Sequence, residues 1–373
     1  VRVLLAPDKF KGSLTAHAVA DHLARGLRQA RPELQLTLLP MADGGDGTVA
    51  AALAAGYLSV PTDVTGPTAV PVRATLALMG SRAVVELADA CGFERLPNAF
   101  PAPMTAGTRG LGEMILAAAR AGASSIVVGV GGSAGTDGGA GMLQALGVGV
   151  LDAHGRQVGP GGAGLADVVS LDVSGLDPVL SGVQILLAGD VDNPLLGPHG
   201  AAAVYGPQKG AGAAQVARLE QALQHWSEVV ARTVPGRFAE LPGAGAAGGV
   251  GFAALSVLGA QAHSGVDLVM ELTGFADALH EADVVITGEG SLDAQTLQGK
   301  GPAGVASASR AAGVPVLAVA GRVLLTAGQL SAAGFDAAYA LLDIEPDPDL
   351  CMAGAGRLLE EVGRRIAPSL PSR

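Results

Sequence analysis

Short apolar runs at both ends of this chain are each followed by a loop of small and charged residues or by a helical pattern, and that alternation leaves few folds open. Arg2 to Ala6 precedes the loop PDKFKGS and a stretch in which Val19, Leu23 and Leu27 recur on one helical face. Leu36 to Leu39 precedes MADGGDGT and a helical pattern from Val49 to Ala55. Near the carboxyl end, Asp283 to Thr287, Pro315 to Ala320 and Ala337 to Leu342 are apolar runs separated by helical stretches. Short strands alternating with helices specify a doubly wound parallel sheet, here with strands from both ends of the chain. Ser13 or Thr15 is placed to cap the first helix.

The middle of the chain follows another rule. Between Val60 and Ala90 the β-rich runs VPTDVTG, VPVRATLALMG and SRAVVELADAC succeed one another with Gly/Pro turns and no room for helices, which predicts antiparallel pairing. A helix from about Gly110 to Ala121, a strand from Ser125 to Val130 and a helix entered through GGSAGTDGG follow. The expected architecture is α/β with two domains. A flavodoxin-like parallel sheet comes from residues 1–58 and 275–373, and residues 59–274 form an inserted mixed α/β domain. The length of 373 residues exceeds the usual single-domain size of roughly 100–200, so a cleft between domains is expected.

Composition narrows the functions. A net charge of -11 argues against nucleic acid or an anionic membrane as partner, since both need a basic field. Cys91 and Cys351 are too few and too far apart for a disulfide scaffold or a thiolate metal site, which fits a reducing cytoplasm. The amino terminus enters a strand-like run with no signal-peptide pattern. Gly243 to Ala262 is uncharged but interrupted by six glycines, which predicts a glycine-rich loop entering a buried helix rather than a membrane span. The seven histidines show no H-x-x-x-H or H-E-x-x-H spacing, against a zinc hydrolase.

The four lysines, Lys9, Lys11, Lys209 and Lys300, all stand in short glycine-bearing loops, while the remaining basic residues are arginines spread through the chain. An ammonium is a compact charge suited to phosphate, and glycine lets backbone approach a ligand. Six loops share this composition: residues 8–13, 42–48, 131–139, 189–200, 206–210 and 288–300. Loops of this kind present backbone N–H groups and helix N-termini to an anion, although each alone is more often a tight turn than a ligand site. None matches G-x-x-x-x-G-K-[ST] or G-x-G-x-x-G, which counts against a P-loop NTPase and a dinucleotide oxidoreductase. The string GGDGT at Gly44 to Thr48 is shared with kinases of diacylglycerol and of nicotinamide dinucleotides and favours ATP phosphates as ligand. Asp43, Asp46, Asp137, Asp190, Asp192, Glu289 and Asp293 stand inside the loops, where Mg²⁺ and a proton acceptor for phosphoryl transfer would be found. Turn-forming or capping roles remain open for Asp46 and Asp137.

Together these segments carry a resemblance to the class I glycerate kinase family over essentially the whole chain: APDKFKGSLTA, PMADGGDGT, GVGGSAGTDGGAGMLQALG, DVDNPLLGPHGAAAVYGPQKGA, GAGAAGGVG and TGEGSLDAQTLQGKGP, in that order. Members often have Ser where Lys9 stands and Arg or Lys where Ser291 stands, so an anion contact near Ser291 comes from elsewhere in this chain. The resemblance implies ATP-dependent phosphorylation of D-glycerate, 2-phosphoglycerate favoured over 3-phosphoglycerate, Mg²⁺ as cofactor, and an inserted domain that is restriction-endonuclease-like. With it, Asp190, Lys11 and Lys300 are the expected catalytic residues. Lys9, Gly44, Gly45, Gly131, Gly132, Ser133, Asp192, Asn193, Lys209 and Ser291 are expected at the substrate or phosphates, and Asp43, Glu289 and Asp293 at the metal. The alternatives are a kinase of another small hydroxy acid or polyol, and a non-catalytic sugar-acid binding protein. The oligomeric state is not legible.

Overall fold

The computed structural model describes residues 1–298 and 301–371. The chain divides into two compact units. One comprises Val1–Asp43, Ala50–Ala55 and Val266–Arg373, the other Gly44–Val49 and Gly56–Gly265.

In the first unit five strands form one parallel sheet in the order Ala337–Ala340, Val316–Val323, Val284–Leu292, Arg2–Pro7, Gln35–Leu38. That is the flavodoxin-type order, in which the chain reverses direction across the sheet beside its first strand. The central strands are apolar on both faces because helices cover both. Val3, Leu5, Val284 and Ile286 pack with Leu23 and Leu27 of helix Ala16–Ala30 and with Leu358 and Val362 of helix Ala355–Ile366. On the other face Leu4, Val285 and Ala318 pack with Met41, Val266, Phe275 and Val305. Thr15 is the cap of the first helix, its hydroxyl accepting the Ala18 N–H at 3.2 Å, whereas the Ser13 hydroxyl donates to the Met352 carbonyl.

The second unit is built on a six-stranded mixed sheet in the order Gln261–His263, Gln184–Ala188, Ser125–Gly129, Arg82–Glu86, Pro71–Met79, Leu58–Thr65. The last three strands pair antiparallel as their turn signals predict, and the first four run parallel. One expectation fails: the run through Glu86 does not stay extended, and Leu87–Cys91 forms a short helix at the end of its strand. Leu87, Ala90 and Cys91 bury there against Leu111 and Met114 of helix Arg109–Arg120, a contact that periodicity over five residues does not reveal. The expected joints near Leu58 and Gly274 lie at Ala55/Gly56 and Gly265/Val266, because Val266 and Val269 bury in the core of the first unit. No helix among the described residues is long and apolar enough to cross a membrane.

Candidate active site

In the first unit the chemistry-bearing residues lie just past strand Arg2–Pro7 and in the carboxyl-terminal part of strand Val284–Leu292 and the turn after it, where the order of the sheet reverses and ligands of such sheets bind. Asp8 follows the first strand, with its N–H donating to the Gly288 carbonyl at 2.7 Å. Its carboxylate, in a residue only 9% exposed, accepts the Lys9 N–H at 2.6 Å and lies beside Gly301 at the start of helix Gly301–Ala311. Burial raises the Asp8 carboxyl to about 7, with the neighbouring charge of Asp43 as second cause and Glu289 adding to it. Asp43 and Glu289 are thus near enough for their charge to act on Asp8. Glu289 accepts the buried Thr296 hydroxyl at 2.5 Å. Asp293, expected at a metal, is instead the organiser of a turn: Oδ1 accepts the Gln295 N–H at 2.9 Å and Oδ2 accepts the Ser291 hydroxyl at 3.1 Å. Ser291 accepts in turn from Arg322 Nε at 3.0 Å. Lys9 is half-buried and Lys11 exposed in the same loop. Lys300 lies outside the described residues.

In the second unit four loops meet at the carboxyl ends of the parallel strands. Gly44 has φ +80°, and a Cβ there would lie 2.7 Å from Gly265 Cα and 2.8 Å from the Ala188 carbonyl carbon. A Cβ on Gly131 would lie 2.6 Å from Gly45 Cα. Only glycine permits backbones so close, so the loops containing Gly44 and Gly131 present their peptide groups at one place. Gly132 is exposed beside them and Ser133 is buried.

Asp190 follows strand Gln184–Ala188, and its Oδ1 accepts the N–H of Gly265, first residue of helix Gly265–Thr273, at 2.8 Å. Asp192 is exposed two residues on. Asn193 is engaged inside its own loop: its amide donates to the His199 carbonyl at 2.8 Å and its carbonyl accepts the Tyr205 hydroxyl at 2.5 Å. It shapes the loop rather than reaching out of it.

Lys209 departs from expectation. It is 2% exposed, and its ammonium donates to Ser133 Oγ at 2.6 Å and the Gly135 carbonyl at 2.5 Å. Burial lowers its pKa to about 7, against the charge of Asp137. Such a lysine ties down the glycine-rich loop from beneath, and a direct phosphate contact is not what this geometry provides. Asp137 resolves toward the capping alternative: buried, it accepts the N–H groups of Thr108, Gly139 and Gly141 and the Thr108 hydroxyl. Burial raises its pKa against these bonds.

Glu86 was not visible in the sequence as a site residue. It ends a buried strand, and its Oε1 accepts the N–H groups of Gly47, at 3.1 Å, and of Val49, fixing the end of the GGDGT loop. Burial raises its carboxyl to about 7 in spite of those bonds, Asp46 contributing in the same direction. The folded state therefore keeps a proton that the unfolded chain, with an ordinary value near 4.5, has released. Its stabilisation is fully present below about pH 4.5 and is lost as pH rises to about 7. Glu86→Gln removes this titration, so wild type is expected to lose melting temperature relative to the variant across that window. A pH-independent difference would show that Glu86 is ionised in the fold.

With this geometry in place, comparison with known proteins gives a consistent answer. The sequence profile described as the glycerate kinase family matches residues 3–370. The chain is 42% identical to a glycerate kinase of Bacillus subtilis, over 99% of this chain and 98% of the relative. It is 39% identical to a glycerate 2-kinase of Escherichia coli, with the same coverage. The crystal structure of a candidate glycerate kinase 2 from Salmonella typhimurium LT2 superposes with a TM-score of 0.85 at 39% identity, covering 99% of this chain and 98% of the other. A fold whose loops gather at strand ends in each unit, matched over its whole length, leaves one assignment: the chain belongs to the glycerate kinase family.

Proposed function

We propose that this kinase transfers the γ-phosphoryl group of ATP to the 2-hydroxyl of D-glycerate, with Mg²⁺ as cofactor. The observation that supports the reading is the glycine-permitted approach of the loops containing Gly44 and Gly131 in the second unit, which brings their backbones together where their N–H groups would cradle an anion. Phosphoryl transfer asks for positioning and charge neutralisation more than covalent chemistry, and such a cradle supplies both. The N–H groups of Gly44, Gly45 and Gly131 to Ser133 bind an anionic oxygen, with Lys209 and Glu86 holding their loops. Asp190 orients the acceptor hydroxyl and takes its proton, one carboxylate oxygen being fixed by Gly265. Lys11, Lys9 and Lys300 neutralise phosphate or carboxylate charge.

Asp43 and Glu289 fit Mg²⁺. They are hard oxygen donors, and both act on the neighbouring Asp8, whose carboxyl is raised first by burial and then by the charge of Asp43 and Glu289. No group of three or more His, Cys, Asp or Glu among the described residues is arranged as a metal cage, and Mg²⁺ needs only one or two carboxylates besides phosphate oxygens. When bound, the ion offsets the charge of the transferring phosphoryl group.

The glycerate kinase family match and the loops that carry it favour this reading over a binding protein without catalysis, and a kinase of another small hydroxy acid or polyol is separated by substrate. Comparison of D-glycerate, tartronate, lactate and glycerol as acceptors is the test. Turnover is expected with D-glycerate and loss of turnover with glycerol, which lacks the carboxylate. Equal rates with glycerol would contradict a bound carboxylate and favour a polyol kinase.

A further inference from the structure

We infer that Arg322 is an anion-binding residue of the site: its guanidinium takes a carboxylate or phosphate oxygen of glycerate or ATP beyond the carboxyl edge of the five-stranded sheet. The inference deepens the function proposed above and rests on it.

Strands Val284–Leu292 and Val316–Val323 remain paired beyond the layer of Glu289 and Ala320, with Ser291 opposite Arg322 and Leu292 opposite Val323. Between these pairs the backbones close up. A Cβ on Gly321 would lie 2.6 Å from the Gly290 carbonyl oxygen, so no side chain separates the strands there. Arg322 is therefore carried on a firm extension of the sheet, two strands from Arg2–Pro7, about 10 Å at ordinary strand spacing.

The bonding around Arg322 is what separates it from a solvated surface arginine. Its Nε donates to Ser291 Oγ at 3.0 Å, which orients the guanidinium. The nearby Asp293 does not take the terminal nitrogens. Its oxygens accept the Ser291 hydroxyl and the Gln295 N–H, and among the described residues the forked end of Arg322 has no hydrogen bond or ion pair. Arg73, Arg109, Arg156 and Arg365 instead spend their guanidinium groups on adjacent carboxylates. A fork held at Nε retains two parallel donors, the geometry that carboxylate and phosphate accept bidentately. The surrounding edge carries Asp8, Asp43 and Glu289, so an anionic ligand there needs cations to offset them. Lys9 and Lys11 supply charge from the loop after the first strand, and Arg322 supplies it from the other side of Val284–Leu292.

The test is Arg322→Ala, with kcat, KM for glycerate and KM for ATP, and calorimetric binding of each ligand. One KM and the matching Kd are expected to rise about tenfold or more, the usual worth of a charge-assisted bond, while the melting temperature of this exposed position stays unchanged. A rise confined to glycerate assigns the carboxylate, and a rise confined to ATP assigns a phosphate. The double variant Ser291→Arg with Arg322→Ser moves the guanidinium to the register partner and is expected to recover most of the lost affinity, which a merely structural arginine would not do. Unchanged KM and Kd for both ligands in an active, folded Arg322→Ala enzyme would overturn the inference alone. Absence of glycerate turnover in wild type would instead overturn the function on which it rests.

Discussion

Asp190→Asn is expected to lower kcat with glycerate about 10²–10³-fold, the usual cost of removing a contact made in the transition state, with little change in melting temperature. The substitution is conservative where the fold is concerned. Asn keeps an oxygen able to accept the Gly265 N–H, so the anchoring of Asp190 at the start of helix Gly265–Thr273 survives. What it removes is the anionic oxygen proposed to accept the proton of the attacking hydroxyl. Glycerate affinity measured by calorimetry should fall little, so the loss should appear in kcat rather than in KM. Near-normal kcat in a folded Asp190→Asn enzyme would take Asp190 out of the chemistry, and a collapse of the melting temperature would make it a structural residue.

Trp226→Ala is expected to destabilise the second unit by about 3–5 kcal/mol, the range for truncating a large buried aromatic. Trp226 is 0% exposed on helix Ala213–Thr233, and its indole N–H donates to the Gly138 carbonyl at 3.0 Å. The ring lies against Gly138 so closely that a Cβ there would be 2.5 Å from Trp226 Cδ1. Truncation leaves a cavity under the glycine-rich loop and a carbonyl without its donor. Trp226→Phe separates the two effects, since it keeps most of the volume and should cost only about 1–3 kcal/mol for the lost bond. Denaturant unfolding of the three proteins decides this. Equal stability of wild type and Trp226→Ala would mean that the loop does not rest on the indole.

Much of the architecture is legible because strands and helices announce themselves locally. The apolar runs at both chain ends became the parallel sheet, and the helical face of Val19, Leu23 and Leu27 became buried core. Strands Gly149–Leu151 and Ser170–Asp172 escaped notice because three residues carry no period. The site is less legible, since its geometry is made by contacts distant in sequence. Glu86 meets Gly47 and Val49 across the fold, and nothing in VVELAD marks a carboxylate that will hold a loop. Lys209 has the composition of a phosphate ligand, and only burial beneath Ser133 and Gly135 turns it inward. Arg322 gains meaning only from its register with Ser291, which no spacing along the chain encodes.

The central claim is phosphoryl transfer from ATP to the 2-hydroxyl of D-glycerate. It is tested most directly by following ADP release with D-glycerate and Mg²⁺ and then locating the phosphate on the product by phosphorus NMR. Glycerate-dependent ADP release and a phosphorus signal coupled to the single proton on carbon 2 are expected. A signal coupled to the two protons on carbon 3 would contradict the assigned position, and no glycerate-dependent ADP release by folded protein would contradict the account itself.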